Sequence, residues 1–268
     1  MGSGLLTSAE VARILGVTPG SVKRWADQGI LRCDRTTGRH RRFERSEVER
    51  FLLKRRGSGG GEVGRWVEML LAEPDILALQ AGLLEERARL GSWWRVAESL
   101  GPVLTEIGSR WEAGTLSILE EHLASERLSR ALARASESLP LRPGAPRLLL
   151  VTAEGDDHTL GLSLAELTVR EFGWHALWAG RVTPLAEVVA VVAAGGAEAV
   201  AVSASPVCSA GDLLAQTERL GAICRAGEVA LALGGNGPWP EWLPYGDRVR
   251  DFAALRDWMS GIERSRGS

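Results

Sequence analysis

The stretch Leu148-Leu-Leu-Val-Thr152, followed by Ala153-Glu-Gly-Asp-Asp-His-Thr-Leu-Gly161, decides how the carboxyl-terminal half folds. An apolar run of this length, ended at Gly155 and followed by helix-forming sequence, reads as a buried parallel strand that opens a βα unit. The loop after such a strand is where open α/β sheets bind their ligands. That loop carries the pattern Asp156-x-His158-x-x-Gly161. A neutral imidazole nitrogen of His158 can meet a metal while Asp156 holds the proton on the other nitrogen and so fixes the tautomer. Gly161 lets a backbone or a bulky ligand come close.

Downstream, strands and helices alternate. Strands are predicted at Leu148–Thr152, Trp174–Trp178, Ala199–Ser203 and Val229–Leu233, with a short fifth near Val249. Helices are predicted at Leu160–Phe172, Pro184–Ala194, Asp212–Arg225 and Ala253–Ile262. This is a doubly wound, Rossmann-like sheet over residues 148–268. Two further loops fall at strand ends: Val202-Ser-Ala-Ser205 and Leu233-Gly-Gly-Asn-Gly237. No Gly-x-Gly-x-x-Gly follows the first strand, which argues against a nicotinamide or flavin site.

Upstream, Pro140-Leu-Arg-Pro-Gly-Ala-Pro146 marks a linker at 140–147. Residues 63–139 show apolar positions at helical spacing with breaks near Pro74, Gly91 and Gly114, predicting a four-helix bundle. Within it, Trp111 is separated by nine residues from the pair Glu121-His122.

The amino-terminal segment 1–56 is a basic head. It holds 13 Lys/Arg against 6 Asp/Glu, a net of +7, while the remainder holds 19 against 28, a net of −9. A basic head on an acidic body suggests that the head alone meets a polyanion. Thr7-Ser-Ala-Glu10 has the form of a capping box, and Thr18-Pro19 opens a second helix to Asp27. Two short helices in this order predict a helix-turn-helix with Lys23 and Arg24 on its second helix. The arginine-rich stretch Arg32–Phe43 predicts a β-hairpin wing that lays Arg35, Arg39, Arg41 and Arg42 along phosphates. Gly57-Ser-Gly-Gly-Gly-Glu62 reads as a flexible linker at 57–62.

Composition bounds the rest. With 45% apolar and 25% charged residues, the chain has globular proportions. No apolar run is long enough to cross a membrane. The start, Met1-Gly-Ser-Gly-Leu-Leu6, lacks the form of a secretory signal. Three cysteines without CxxC spacing suit a reducing compartment, so a cytoplasmic location is expected.

The head closely resembles the winged-helix DNA-binding domain of the MerR family, through Leu6–Val17, Val22-Lys-Arg-Trp25 and Gly38-Arg-His-Arg-Arg-Phe43. Asp156-x-His158-x-x-Gly161 resembles the cobalamin-binding signature, and Trp111 with Glu121-His122 resembles the motif of CarH-type photoreceptors. The three domains in this order resemble a CarH-like, cobalamin-dependent MerR-family regulator. The resemblance implies adenosylcobalamin as cofactor, with His158 as lower cobalt ligand in place of the cofactor's own base. It implies Ser203 (or, second, Ser205) on the inserted nucleotide base, and Gly234-Gly235 making room for the nucleotide tail. It implies Trp111 over the upper face, Glu121 and His122 beside the adenosyl group, and His122 as upper ligand after light.

By the same resemblance, the loaded chain is a non-enzymatic, light-responsive repressor. It would bind double-stranded operator DNA as a homo-oligomer, dimer or tetramer, in the dark, and release it after illumination. Glu154, Asp156 and Asp157 make the motif loop acidic, which would call for a basic counterpart in any partner subunit. Two alternatives remain: a light-insensitive cobalamin sensor of the same fold, and the corrinoid carrier module of a methyltransferase.

Overall fold

The computed structural model describes residues 5–15, 19–27, 29, 31–35, 38, 40–48, 51 and 61–266. Its contacts group Met1–Glu73 with Pro102–Ser125, and Pro74–Gly101 with Glu126–Ser268, as two compact units.

In the first unit, β1 (Leu5–Leu6) leads into α1 (Ser8–Leu15) and α2 (Pro19–Asp27). The capping box forms as the sequence predicts. Thr7 N and Oγ1 both donate to Glu10 Oε2 at 2.8 Å, and Glu10 N donates to Thr7 Oγ1 at 3.3 Å. β2 (Asp34–Arg35) and β3 (Arg41–Glu44) form the wing, and β3 also pairs with β1, both antiparallel. A further helical segment, α3, is described at residues 45–48. Val11, Val22, Trp25, Leu31, Phe43 and Val48 are fully enclosed and form the core of the head. The Gly16-Val17 turn, Arg39 and most of the 57–62 linker lie outside the described residues.

Four helices follow: α4 (Glu62–Ala72), α5 (Ile76–Leu90), α6 (Trp93–Glu112) and α7 (Ile118–Glu137). The predicted breaks have local causes. Asp75 accepts from Leu77 N at 2.9 Å to start α5, and Gly91, at φ 83°, ends it in the left-handed conformation. Ser117 and Glu120 form a second capping box that starts α7. α6 runs on through Pro102.

In the second unit, β4 (Arg147–Thr152), β5 (His175–Gly180), β6 (Ala199–Ser203), β7 (Ala230–Gly234) and β8 (Asp247–Arg248) form one parallel sheet in the order β5-β4-β6-β7-β8. Helices α8 (Leu160–Glu171), α9 (Leu185–Ala193), α10 (Ala210–Ala226) and α11 (Phe252–Arg266) connect and cover it. Alternate strand residues feed two cores. Leu149, Val151, Val200, Val202, Leu231 and Leu233 line one face, and Leu148, Leu150, Ala199, Ala201 and Ala232 line the other. Burial on both faces explains why the strands read as continuous apolar runs. The strand order reverses between β4 and β6, the position where doubly wound sheets open a crevice.

Two carboxylates tie helices to this sheet domain. Glu171 of α8 accepts from Trp93 N (2.7 Å) and Trp94 N (3.3 Å), satisfying the free amides at the start of α6. Glu98 of α6 in turn accepts from Phe252 N (2.6 Å) and Ala253 N (3.1 Å) at the start of α11. Among the described residues no helix is long and apolar enough to cross a membrane.

Candidate functional site

The loop after β4 is held from inside. Asp156 N donates to Ala153 O at 2.9 Å, and Thr152 Oγ1 donates to Asp156 O at 2.6 Å. These bonds turn the Asp156 side chain inward, where it is only 1% exposed. Its carboxylate accepts from His158 N (3.0 Å), Ser205 N (2.6 Å) and Ser205 Oγ (3.1 Å), and the Cys208 thiol lies at 3.4 Å. Burial alone would push this carboxyl up. The hydrogen bonds from His158 and Ser205 outweigh it and hold the group below the usual carboxylate range. Asp156 is therefore an anion with its acceptor sites filled. The same surroundings, burial first and the Asp156 charge second, push the Cys208 thiol up.

His158 Nδ1 lies 2.8 Å from Asp156 Oδ1. The carboxylate fixes the proton on Nδ1 and leaves Nε2 with its lone pair. Nε2 has no partner among the described residues, and the side chain is 57% exposed. Asp156, Asp157 and His158 have ligand atoms within 4.8 Å of one another. Since Asp156 is already occupied by donors, the atom of this group best prepared for a metal is His158 Nε2.

The acidity of this loop has an internal explanation. Glu154 Oε1 accepts from Leu185 N at 3.1 Å, at the start of α9, and Asp156 is buried. Glu154 makes that bond from an exposed position, and Asp157 also faces solvent, 3.3 Å from His158 Nδ1.

Ser203 ends β6 directly beside Thr152 of β4 in the register. A Cβ on Gly161 would lie 3.5 Å from Ser203 Oγ, an ordinary contact, and one on Gly234 would have 3.8 Å to its nearest atoms. A Cβ would fit at both positions with ordinary contacts, so close packing alone does not require glycine there. Gly235 and Gly237 differ. At φ +76°, a Cβ on Gly235 would come 2.9 Å from Ser203 Oγ, and one on Gly237 would come 2.6 Å from the Ala204 side chain. The β6 and β7 loops are laced backbone to backbone here, with Gly237 N donating to Ala204 O at 2.8 Å. Those two positions are glycine because the fold itself leaves no room.

Sequence reading placed Ser205 second for the nucleotide base and gave Cys208 no part. The structure assigns Ser205 to Asp156 and His158, with its Oγ 3.3 Å from His158 Nδ1. The only prior signal was the β4–β6 pairing, which brings residues 49 positions apart into contact.

In the first unit, Trp111 near the end of α6 is 47% exposed. Glu121 accepts from Ser125 Oγ at 2.6 Å, and His122 Nε2 stands 3.6 Å from Glu121 Oε2 with its side chain 71% exposed. A turn through Gly114, at φ 68°, joins the two helices. Exposed Ile118, Leu119 and Leu123 accompany His122 on α7. Trp25 of α2 donates its indole N–H to Gly114 O, so this turn touches the recognition helix.

On the head, Lys23 is exposed and Arg24 half-buried. The wing arginines do not share one face. Cross-strand partners Arg35 and Arg41 point one way, and both bond Asp27 Oδ1, at 3.0 and 2.5 Å. Arg42 pairs across from Asp34 on the opposite side of the pleat. It lines an open cavity of about 410 Å³ with Asp34, Glu44, Cys33 and Glu47.

Known proteins match in parts. Residues 5–56 match a family described as a helix-turn-helix domain, and residues 95–135 a family described as a B12 binding domain. Over 87 residues the chain is 33% identical to the HTH-type transcriptional repressor CarH of Myxococcus xanthus, a stretch covering 32% of this chain and 29% of the repressor. The match thus spans less than a third of that curated relative. Among solved structures, the monomethylamine corrinoid protein of Methanosarcina barkeri aligns with a TM-score of 0.56 and 16% identity, over 74% of this chain and 96% of that one. At that identity the likeness is one of fold.

Proposed function

We propose that this chain, which is CarH-like in joining a helix-turn-helix domain to a B12 binding domain, is a transcriptional repressor that binds adenosylcobalamin and responds to light. The observation that carries the reading is His158: a solvent-facing Nε2 on an imidazole whose other nitrogen is held by a buried, ionised aspartate. This is the donor a cobalt ion needs, a neutral imidazole of fixed tautomer and orientation. The residues therefore fit the group. His158 would hold cobalt, with Ser203, Gly161 and Gly234 along the nucleotide tail, while Gly235 would serve by keeping the β6 and β7 loops close together. Trp111, Glu121 and His122 would meet the upper, adenosyl side.

When bound, adenosylcobalamin supplies a cobalt–carbon bond that visible light can break. Of the chain's own residues, Trp111 would exclude solvent beside the cofactor and His122 would offer a second imidazole to the cobalt. On the head, Lys23, Arg24, Arg35, Arg39, Arg41 and Arg42 are the candidates for duplex DNA, with the loaded chain binding as an oligomer. Several heads on one operator multiply affinity through effective concentration.

The test is the absorption spectrum of the protein loaded with adenosylcobalamin in the dark, before and after green light, with size-exclusion chromatography on both samples. A His-ligated, base-off spectrum that converts on illumination, with a fall in mass, supports the full reading. Conversion at constant mass removes the oligomer switch. A spectrum indifferent to light leaves a light-insensitive cobalamin-sensing regulator, and no binding at all overturns the cofactor reading.

A further inference from the structure

Asp27 has no part in the reading above, yet it bonds two of the arginines assigned to DNA, Arg35 and Arg41. It is the last residue of α2, whose sequence Pro-Gly-Ser-Val-Lys-Arg-Trp-Ala-Asp is otherwise neutral or basic. A carboxylate at a helix C-terminus opposes the helix dipole, so local preference does not account for it. What it meets does. Arg35 and Arg41 sit directly opposite one another across the wing ladder, a like-charge pairing that is unfavourable by itself. Asp27 Oδ1 accepts from the Nη2 atoms of both. The Arg41 guanidinium holds the Asp27 carboxyl below its usual range. One oxygen anion, placed between the recognition helix and the wing, engages the two guanidiniums that a phosphate oxygen would engage.

We infer that Asp27 is a specificity-determining residue, an internal stand-in for phosphate that restrains Arg35 and Arg41 and so suppresses sequence-independent binding. The inference rests on the DNA-binding reading. A random duplex offers only phosphates, and the carboxylate competes with each of them. A preferred duplex adds base contacts that do not depend on these arginines. Removing Asp27 releases both cations to any duplex.

The experiment uses the full chain and two duplexes, one of mixed sequence and one selected by the wild-type chain from a random pool. Affinities are read across a salt series. Each new phosphate contact steepens the slope of log K against log salt by about 0.9. Asp27→Asn is expected to steepen the mixed-duplex slope by about 1 to 2, to raise mixed-duplex affinity roughly tenfold at low salt, and to lower the selected-to-mixed ratio. Asp257→Asn removes the same charge from an exposed position outside the head, away from every arginine assigned to DNA, and should leave the slope unchanged.

In an Arg35→Ala/Arg41→Ala background, Asp27→Asn should have no effect on the slope. That arm also covers the case in which the single variant melts early, because it compares two chains with the same wing. An unchanged slope in Asp27→Asn, an equal change in Asp257→Asn, or a fall in affinity for both duplexes would overturn the inference while leaving DNA binding standing. A wild-type chain that binds neither duplex overturns the DNA-binding reading along with it.

Discussion

His158 and His122 are both candidate cobalt ligands, and their surroundings are opposite. His158 is backed by an aspartate that is 1% exposed and takes three N–H or O–H donors besides the imidazole. His122 opens the second turn of α7, 71% exposed, with Glu121 Oε2 at 3.6 Å. A ligand that must be in place before the cofactor arrives gains from an orientation fixed in advance, because little freedom is lost on binding. A ligand needed only after a bond breaks must stay out of the way until then. Under the proposed function, the contrast suits His158 to the permanent role and His122 to the conditional one.

The largest effect should come from His158→Ala. Loss of the imidazole is expected to lower cobalamin affinity by at least about 100-fold, exceeding what the loss of a supporting residue does. Equilibrium titration followed by the visible spectrum measures it. Unchanged affinity and spectrum would remove the lower-ligand assignment.

Asp156→Asn should come next, at about 10- to 100-fold, because an amide supports the imidazole less strongly and no longer enforces one tautomer. This variant also carries a pH signature. The Asp156 carboxyl is depressed in the folded chain, so its contribution to stability is complete above the unfolded value of about 3.9 and is lost as pH falls through the lower folded value. The cofactor-free wild-type chain should therefore lose melting temperature in strong acid more steeply than Asp156→Asn. Parallel curves between pH 5 and 2 would mean that Asp156 is not held as an anion.

Ser205→Ala removes one hydroxyl donor while Ser205 N remains in place. A hydrogen bond of this kind is worth about 1 kcal/mol, roughly fivefold in affinity. A loss as large as that of Asp156→Asn would show that Ser205 is a direct contact to the cofactor.

The same contrast explains what was legible in the sequence. Asp156, His158 and Gly161 lie within six residues, on one loop and the first turn of the helix after it, so a local pattern exposes them. Ser205 and Cys208 reach Asp156 only because β4 and β6 pair in register, Thr152 against Ser203, and a single-strand pattern carries no such information. The sheet itself was readable because both faces are buried and the strands are continuous apolar runs. Element ends were less so. α10 starts at Ala210, capped by Ser209, and α11 runs to Arg266, beyond the apolar stripe that suggested a stop at Ile262. In the wing, clustering of charge suggested one basic face. The two-residue period of the strand instead sets Arg41 and Arg42 on opposite sides. Asp27 is not legible in the sequence because a single acid in a basic segment has no pattern of its own.

The smallest expected effect on dark binding, and the sharpest for the comparison, belongs to His122→Ala. An exposed histidine that holds nothing in the dark should leave adenosylcobalamin affinity within about twofold, far below the ~1.4 kcal/mol that a tenfold change requires. After illumination, the variant should give a photoproduct with an altered spectrum and faster loss of the corrinoid, followed by absorption over time. Repeating the pair of measurements with His158→Ala should give the reverse: weak binding in the dark, before any light is applied. If His122→Ala weakened dark binding as much as His158→Ala does, the exposed histidine would already be engaged with the cofactor. The division into a fixed ligand and a waiting one would then fail. If its photoproduct matched the wild type, the upper position after light would belong to some other group, and the exposure of His122 would need a different explanation.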